Sequence, residues 1–181
     1  MKLVFKNYKK LSINEHEKLL NIRNSEFVKK GSITKENIIL KNHLKWVENL
    51  NSDKKYYALF VNETIQGGVN IFDINTKPKW GLFFEKETPP MIAPISAYIF
   101  LNEIFENLDI KNLYSEVNIE NKSAYNLSLS LGMEVENIIK INNQEFYKMK
   151  LSKEKWNENK KTKFIQMILK RIKNIEYVFI D

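Results

Sequence analysis

The chain has 181 residues, a net charge of +7, two histidines and no cysteine, which is enough for one domain with a substantial core and excludes disulfides, thiolate metal sites and a cysteine nucleophile. His16 and His43 stand far apart in different contexts, so no metal site is expected. No run of about 18 apolar residues occurs and the N-terminal apolar stretch is too short for a signal peptide, so the expected protein is soluble and cytoplasmic.

Leu3 to Tyr8 alternates as a first strand, and Glu15 to Asn24 places Leu19, Leu20 and Ile22 on one helical stripe. Thr34 then precedes KENIILKNHLKWVENL as an N-cap, with Ile38, Leu40, Leu44, Val47 and Leu50 at helical spacing, which predicts a longer helix over Lys35 to Leu50. Lys55 to Val61 and Thr64 to Ile74 read as a hairpin turning at Asn62-Glu63, with Gly67-Gly68 marking a bulge or bend, and Lys79 to Glu85 completes a meander. After Thr88-Pro89-Pro90 comes a helix whose first turn holds Pro94 and which runs to Leu108. Asn112 to Ile119 is the next strand and KSAYNLSLSL the next helix. VENIIKIN and QEFYKMKL form a closing hairpin around Asn142-Asn143.

That order predicts one mixed α/β domain over residues 1–151. Residues 152–181 read as a basic amphipathic extension, with Phe164, Ile168, Ile172 and Ile175 on a helical stripe broadened by Ile165 and Leu169. Eight Lys/Arg stand against four acids there. The stripe is expected to pack on its own domain or on a second subunit of a homodimer, in preference to an anionic membrane surface. Charge alone, without a motif, gives no reason to expect nucleic acid as a partner.

The stretch VNIENKSAYNLSLSLGM carries the most information. Asn121 is placed to N-cap a helix, Ala124, Leu127 and Leu131 form its apolar stripe, and Gly132 suits a left-handed C-cap. With the order of elements, it resembles the strand-to-helix signature of the Gcn5-related N-acetyltransferase superfamily. In that signature an Asn, a small residue three later and a closing Leu-Gly-aromatic recur, here as Asn121, Ala124 and Leu131-Gly132-Met133. The resemblance covers roughly residues 3–150. Arg23-Asn24, followed by His43 and Trp46, resembles a pattern in acetyltransferases acting on nucleotide-linked amino sugars. Among these is the pseudaminic acid pathway enzyme that acetylates the 4-amino group of a UDP-linked 4-amino-4,6-dideoxy sugar. A related pattern occurs in ribosomal-protein N-terminal acetyltransferases.

The resemblance implies a mainly antiparallel sheet flanked by helices, with acetyl-CoA as co-substrate between the strands at Lys79 to Glu85 and Asn112 to Ile119. Leu82, Phe83 and Phe84 would contribute main-chain groups, as they would to an added strand. The pyrophosphate would meet amides near Met91, Ile92 and Ala93 at a helix start, with Asn121 and Ala124 on the far side. The family's Arg/Gln-x-x-Gly-x-Gly/Ala maps onto Thr88 to Ala93, where only Ala93 conforms and Pro89, Pro90 and Pro94 each remove an amide donor.

The family's tyrosine, seven residues after the signature Asn, is Ser128 here, and Tyr125 is the nearest phenol, one turn earlier. Coenzyme A's thiol should resemble cysteine, with a pKa of about 8.5, so a weak donor suffices near sulfur. Glu116 and Glu120, four apart, would share a strand face and offer a carboxylate for the amine proton. Arg23, Asn24, His43, Trp46, Trp80 and Glu120 would line the acceptor site. The implied activity is acetylation of a nucleotide-linked amino-deoxy sugar in surface-glycan or flagellin-glycan biosynthesis. The alternatives are a non-catalytic interaction module on the same fold, acylation of a protein N-terminus, and use of a longer acyl-CoA.

Overall fold

The computed structural model describes residues 1–181. In β1 (Lys2–Asn7) Leu3 and Phe5 are fully buried while Val4 turns to the other side, as strand alternation requires. A short 3-10 turn at Tyr8–Lys10 leads to α1 (Ile13–Arg23). Its start is fixed by a capping box in which Ser12 Oγ accepts from the Glu15 N–H at 3.3 Å and the Glu15 carboxylate accepts from the Ser12 N–H at 2.7 Å.

The helix expected over Lys35 to Leu50 is shorter than its periodicity suggests. Helix α2 (Glu26–Gly31), capped by Ser25, precedes it, and α3 (Leu40–Glu48) begins without a side-chain cap, so Thr34 caps nothing. Asn24 supplies the reason. Its Oδ1 accepts from the Ile38 N–H at 2.8 Å and its Nδ2 donates to the Ile38 carbonyl at 3.0 Å, which occupies both main-chain groups a helix would need.

Strands β2 (Lys54–Val61), β3 (Thr64–Phe72) and β4 (Lys79–Phe84) form the expected meander, followed by α4 (Ile92–Asn107), β5 (Asn112–Asn118), α5 (Lys122–Ser130), β6 (Glu134–Ile141) and β7 (Gln144–Ser152). All strands lie in one eight-stranded sheet, ordered β6-β7-β5-β4-β3-β2-β1-β8. Only β4–β5 and β1–β8 are parallel. The Gly67-Gly68 signal marks a bulge: Leu59 opposes Gly67 while Phe60 opposes Ile65, leaving Gln66 as the extra residue. A Cβ on Gly67 would fall on the carbonyl oxygen of Phe83, so β4 lies this close to β3 only because position 67 has no side chain.

Two cores sandwich the sheet. On one face Phe5, Leu59, Ile71, Trp80 and Leu113 pack with α4 and α7. On the other, Tyr8, Leu19, Ile22, Val28, Val47 and Ile65 pack under α1–α3. This second core ends near β4, and beyond it the same face carries charged side chains.

The C-terminal segment joins the domain as two helices and a strand. In α6 (Lys153–Asn159) and α7 (Lys163–Ile172), Trp156, Ile165 and Ile168 are fully buried in the first core. The helical stripe expected to reach Ile175 stops at Ile172. The aromatic and β-branched run that follows forms β8 (Glu176–Ile180), paired parallel to β1, with Phe179 stacked on Phe5 at 4.4 Å.

Candidate active site

β4 and β5 meet at a single register pair, Lys79 with Tyr114, where the Tyr114 N–H donates to the Pro78 carbonyl at 2.8 Å. Past that pair the strands part, and the β5-facing edge of residues 82–84 has no strand partner. Between them lies a cleft of about 110 Å³, bounded by Trp80 and Leu82 of β4, Glu116 of β5, Asn121 and Ser128 of α5, and Gly31 at the end of α2.

The signature residues build one wall of this cleft. β5 ends at Asn118, whose Oδ1 accepts from the Glu120 N–H at 2.9 Å, and Asn121 Oδ1 caps α5 through the Ala124 N–H at 3.1 Å. A Cβ at Gly31 would stand 2.7 Å from Asn121 Nδ2, so the end of α2 meets the cap of α5 with no side chain of its own between them. Gly132 takes the left-handed C-terminal position, with φ of 91°.

A groove of about 530 Å³ continues outward past Leu82, Phe83 and Phe84 to Pro89, Pro90 and Ala93, with Asn121 and Ala124 opposite and Lys30 and Lys86 along its rim. Its loop is pinned to the β3 bulge, since Gln66 O accepts from the Glu85 N–H at 2.8 Å and from Thr88 Oγ1 at 3.3 Å. At the start of α4 the main-chain amides of Met91 and Ala93 have no main-chain partner. Neither Met91 nor Ile92 lines the groove: Met91 packs against the first core, and Ile92 donates its N–H to Pro89 O at 2.9 Å with its side chain buried in that core.

Tyr125 and Ser128 part company on α5. Ser128, only 7% exposed, lines the cleft, whereas Tyr125 stacks on Tyr147 of β7 with ring centroids 4.5 Å apart. Glu116 also lines the cleft and forms an ion pair with Lys79 Nζ at 2.7 Å. Glu120 does not share its strand face, because β5 stops at Asn118; it sits in the turn and lines the outer groove.

In the second core, His43 and Trp46 gather around Tyr8, and Arg23 is near enough for its charge to act on the Tyr8 oxygen. The Tyr8 ring lies 5.7 Å from His43 and 6.3 Å from Trp46, and Trp46 lies edge-on to Tyr56 at 4.7 Å. His16 Nδ1 and His43 Nε2 are 3.0 Å apart, so one nitrogen donates and the other accepts. Burial, followed by the neighbouring His16, pushes His43 down to about 4. Burial likewise lowers His16. Burial lowers Arg23, against the opposing pull of the Tyr8 oxygen. Burial, then Asp73, pushes Tyr56 up to about 12.

The Tyr8 hydroxyl stands over Gly68, and beside it Asn70 leans over Gly81, so small residues on β3 and β4 floor this surface. Two expected members are elsewhere. Trp80 points into the opposite core, where Ile71 lies beside it, and Asn24 is occupied by Ile38. Tyr8, His16 and Tyr56 are not among the acceptor-site residues the sequence leads one to expect. Tyr8 closes the first alternating run, but nothing in the sequence announces that His16 and His43 meet.

No protein-family model matches the chain. Acetyltransferase PseH of Campylobacter jejuni (subsp. jejuni serotype O:23/36, strain 81-176) is 31% identical over 129 residues, which span 67% of this chain and 78% of PseH. The chain belongs to the Gcn5-related N-acetyltransferases. For this acetyltransferase the fold agrees. The crystal structure of C. jejuni N-acetyltransferase PseH in complex with acetyl coenzyme A aligns with a TM-score of 0.66 and 23% identity, covering 83% of this chain and 98% of that one. Spermidine N-acetyltransferase from Vibrio cholerae, in complex with CoA and spermine, aligns with a TM-score of 0.74 and 16% identity, covering 81% and 95%.

Family membership decides for an N-acetyltransferase against a non-catalytic module on the same fold. The family's acetyl donor is acetyl-CoA, and the residues present in this acetyltransferase fit it. The open edge of residues 82–84 offers main-chain groups to an extended amide chain. The unpartnered amide of Ala93 at the start of α4, with Lys30 and Lys86 beside Glu85 and Glu120 along the groove, offers a donor and two ammonium groups to phosphate. The prolines at 89, 90 and 94 thus narrow the amide set without closing the groove.

Proposed function

We propose that this acetyltransferase moves an acetyl group from acetyl-CoA to the amino group of a nucleotide-linked amino-deoxy sugar in surface-glycan or flagellin-glycan biosynthesis. The observation that carries this reading is the gathering of His43 and Trp46 around Tyr8, with Arg23 near enough to act on it, on the sheet face next to Gly81; all three share a sequence pattern with such enzymes. Trp46 is 37% exposed and offers a flat apolar surface to a base or sugar ring, while Arg23 offers planar donors to oxygen.

Acetyl-CoA supplies a thioester whose carbonyl carbon bonds to the acceptor nitrogen as the carbon–sulfur bond breaks. Glu116, at the cleft wall, takes the proton the nitrogen gives up, directly or through water, and Lys79 holds that carboxylate in place. Ser128 donates a hydrogen bond toward the departing sulfur from the opposite wall. Tyr125 has no part in this scheme, since its ring lies against Tyr147.

Thiol release from acetyl-CoA, followed with UDP-, dTDP- and CDP-linked 4-amino and 3-amino sugars, ribosomal N-terminal peptides and polyamines, tests the assignment. Preferred turnover of a nucleotide-linked amino sugar is expected, and preference for a peptide or polyamine overturns it. Glu116→Gln should lower kcat roughly a hundredfold near neutral pH. The loss should shrink as pH rises and the amine arrives already unprotonated.

A further inference from the structure

The second core ends near β4, and the sheet face beyond it carries an excess of positive charge. Tyr147, Met149 and Leu151 of β7 point toward the first core, so Lys148 and Lys150 point to the opposite face. Across the ladder Glu116 stands opposite Lys148, and Tyr114 opposite Lys150. Lys77 Nζ sits 4.4 Å from the centre of the Tyr114 ring. Lys148 pairs with Glu136 at 2.9 Å, and Lys79 with Glu116 at 2.7 Å. Four lysines therefore share this strip with three carboxylates, since Glu134 stands opposite Lys150.

The crowding is visible in their electrostatics. The Lys148 ammonium beside it holds Lys77 below the ordinary lysine value, and Glu136 is held below the ordinary carboxylate value by Lys148 first, with Lys77 and Lys150 adding to the effect. Lys148 thus pairs directly with Glu136, and Lys77 and Lys150 add their charge from farther off. Their surplus charge lies one strand away from Glu116, a spacing of about 5 Å, and Glu116 borders the cleft. That interval is about the width of one sugar ring.

We propose that this strip binds a phosphate or diphosphate of the acetyl acceptor, with Lys77 and Lys148 as its principal contacts and Lys150 at its edge. It rests on the reading of the acceptor as a nucleotide-linked amino sugar and adds where the anion lies. The sugar amine reaches the cleft at Glu116 while the anionic linker extends over β5 onto β7. A polycationic acceptor is disfavoured on the same strip, because its charges would meet lysines.

Calorimetric titration with UDP, on protein first saturated with coenzyme A so that the donor groove is filled, tests the strip without turnover. UDP should bind the wild type, more weakly as salt is raised, and at least tenfold more weakly after Lys77→Glu with Lys148→Glu. Equal affinity in both proteins, or no UDP binding to the wild type, overturns the proposal. Kinetics separate it from the functional reading. If a UDP-linked amino sugar is acetylated and the double variant keeps its KM, the anion site fails while the function stands. If no nucleotide-linked amino sugar is acetylated, the function fails, and the UDP titration still decides the site. Lys77→Ala with Lys148→Ala, checked for an unchanged unfolding temperature, guards against misfolding of the charge-reversed protein.

Discussion

Ser128 and Tyr125 are three residues apart on one helix, yet they face different environments. Ser128 borders the cleft and Tyr125 is stacked on Tyr147. Replacing Ser128 by Ala removes one hydrogen-bond donor, worth about 1.5 kcal/mol when it meets a developing charge. Thiol-release kinetics should show kcat roughly tenfold lower, with the KM for acetyl-CoA little changed. Tyr125→Phe keeps the stacked ring and should leave kcat at the wild-type value. The reverse pattern would move the donor role to Tyr125.

Gly67 is a residue whose importance comes wholly from a neighbour's main chain. Any side chain there would press on the carbonyl of Phe83, in the strand whose other edge faces the cleft. Gly67→Ala should destabilise the protein by about 2 kcal/mol in urea unfolding, the usual scale for a clash that main chain must absorb. It should also raise the KM for acetyl-CoA by displacing residues 82–84. A variant with unchanged stability would show that β3 and β4 are free to separate locally.

At the scale of elements, the order of strands and helices through β7 follows from alternation, helical stripes and turn residues, except for α2, whose six residues are too few to show a stripe. The exceptions are instructive. Periodicity predicts a helix from Lys35, but a single side chain, Asn24, takes both main-chain groups of Ile38 and keeps that stretch out of the helix. Such a contact spans a sequence distance that no local pattern records. The amphipathic stripe near the C-terminus reads correctly as helix through Ile172, then misleads at Ile175, where β8 is drawn out by an open strand edge on β1.

The site shows the same division. Asn121, Ala124 and Gly132 carry local geometry and are legible because caps and turns restrict residue type. Composition alone groups Trp80 with His43 and Trp46, although strand parity sends it to the other face, beside Ile71. The meeting of His16 with His43, and of Lys77 with Lys148, depends on how elements pack.

For the molecule as a whole, the buried histidine pair sets a pH dependence. His16 and His43 both have folded values below the ordinary 6.5, with His43 at about 4. The unfolded chain therefore binds protons that the folded protein refuses, and stability falls with decreasing pH across this window. It is fully present above about 6.5 and is lost as pH drops toward 4. Thermal unfolding followed from pH 7.5 to 4 should show a falling midpoint. His43→Gln should flatten the part of that slope above pH 5, where most carboxylates have yet to titrate. An unchanged slope would mean that the pair stays hydrated in the folded state.

The parting of β4 from β5 has one more consequence. Within the sheet, amides are shielded from solvent by their ladder partners, whereas those on the β5-facing edge of residues 82–84 lack one. In deuterated water these amides should exchange among the fastest of any strand, and slow sharply once the donor's amide chain lies along them. Exchange at the alternate amides of this edge, Leu82 and Phe84, would then report donor occupancy by itself, in a catalytically silent variant as readily as in the active enzyme.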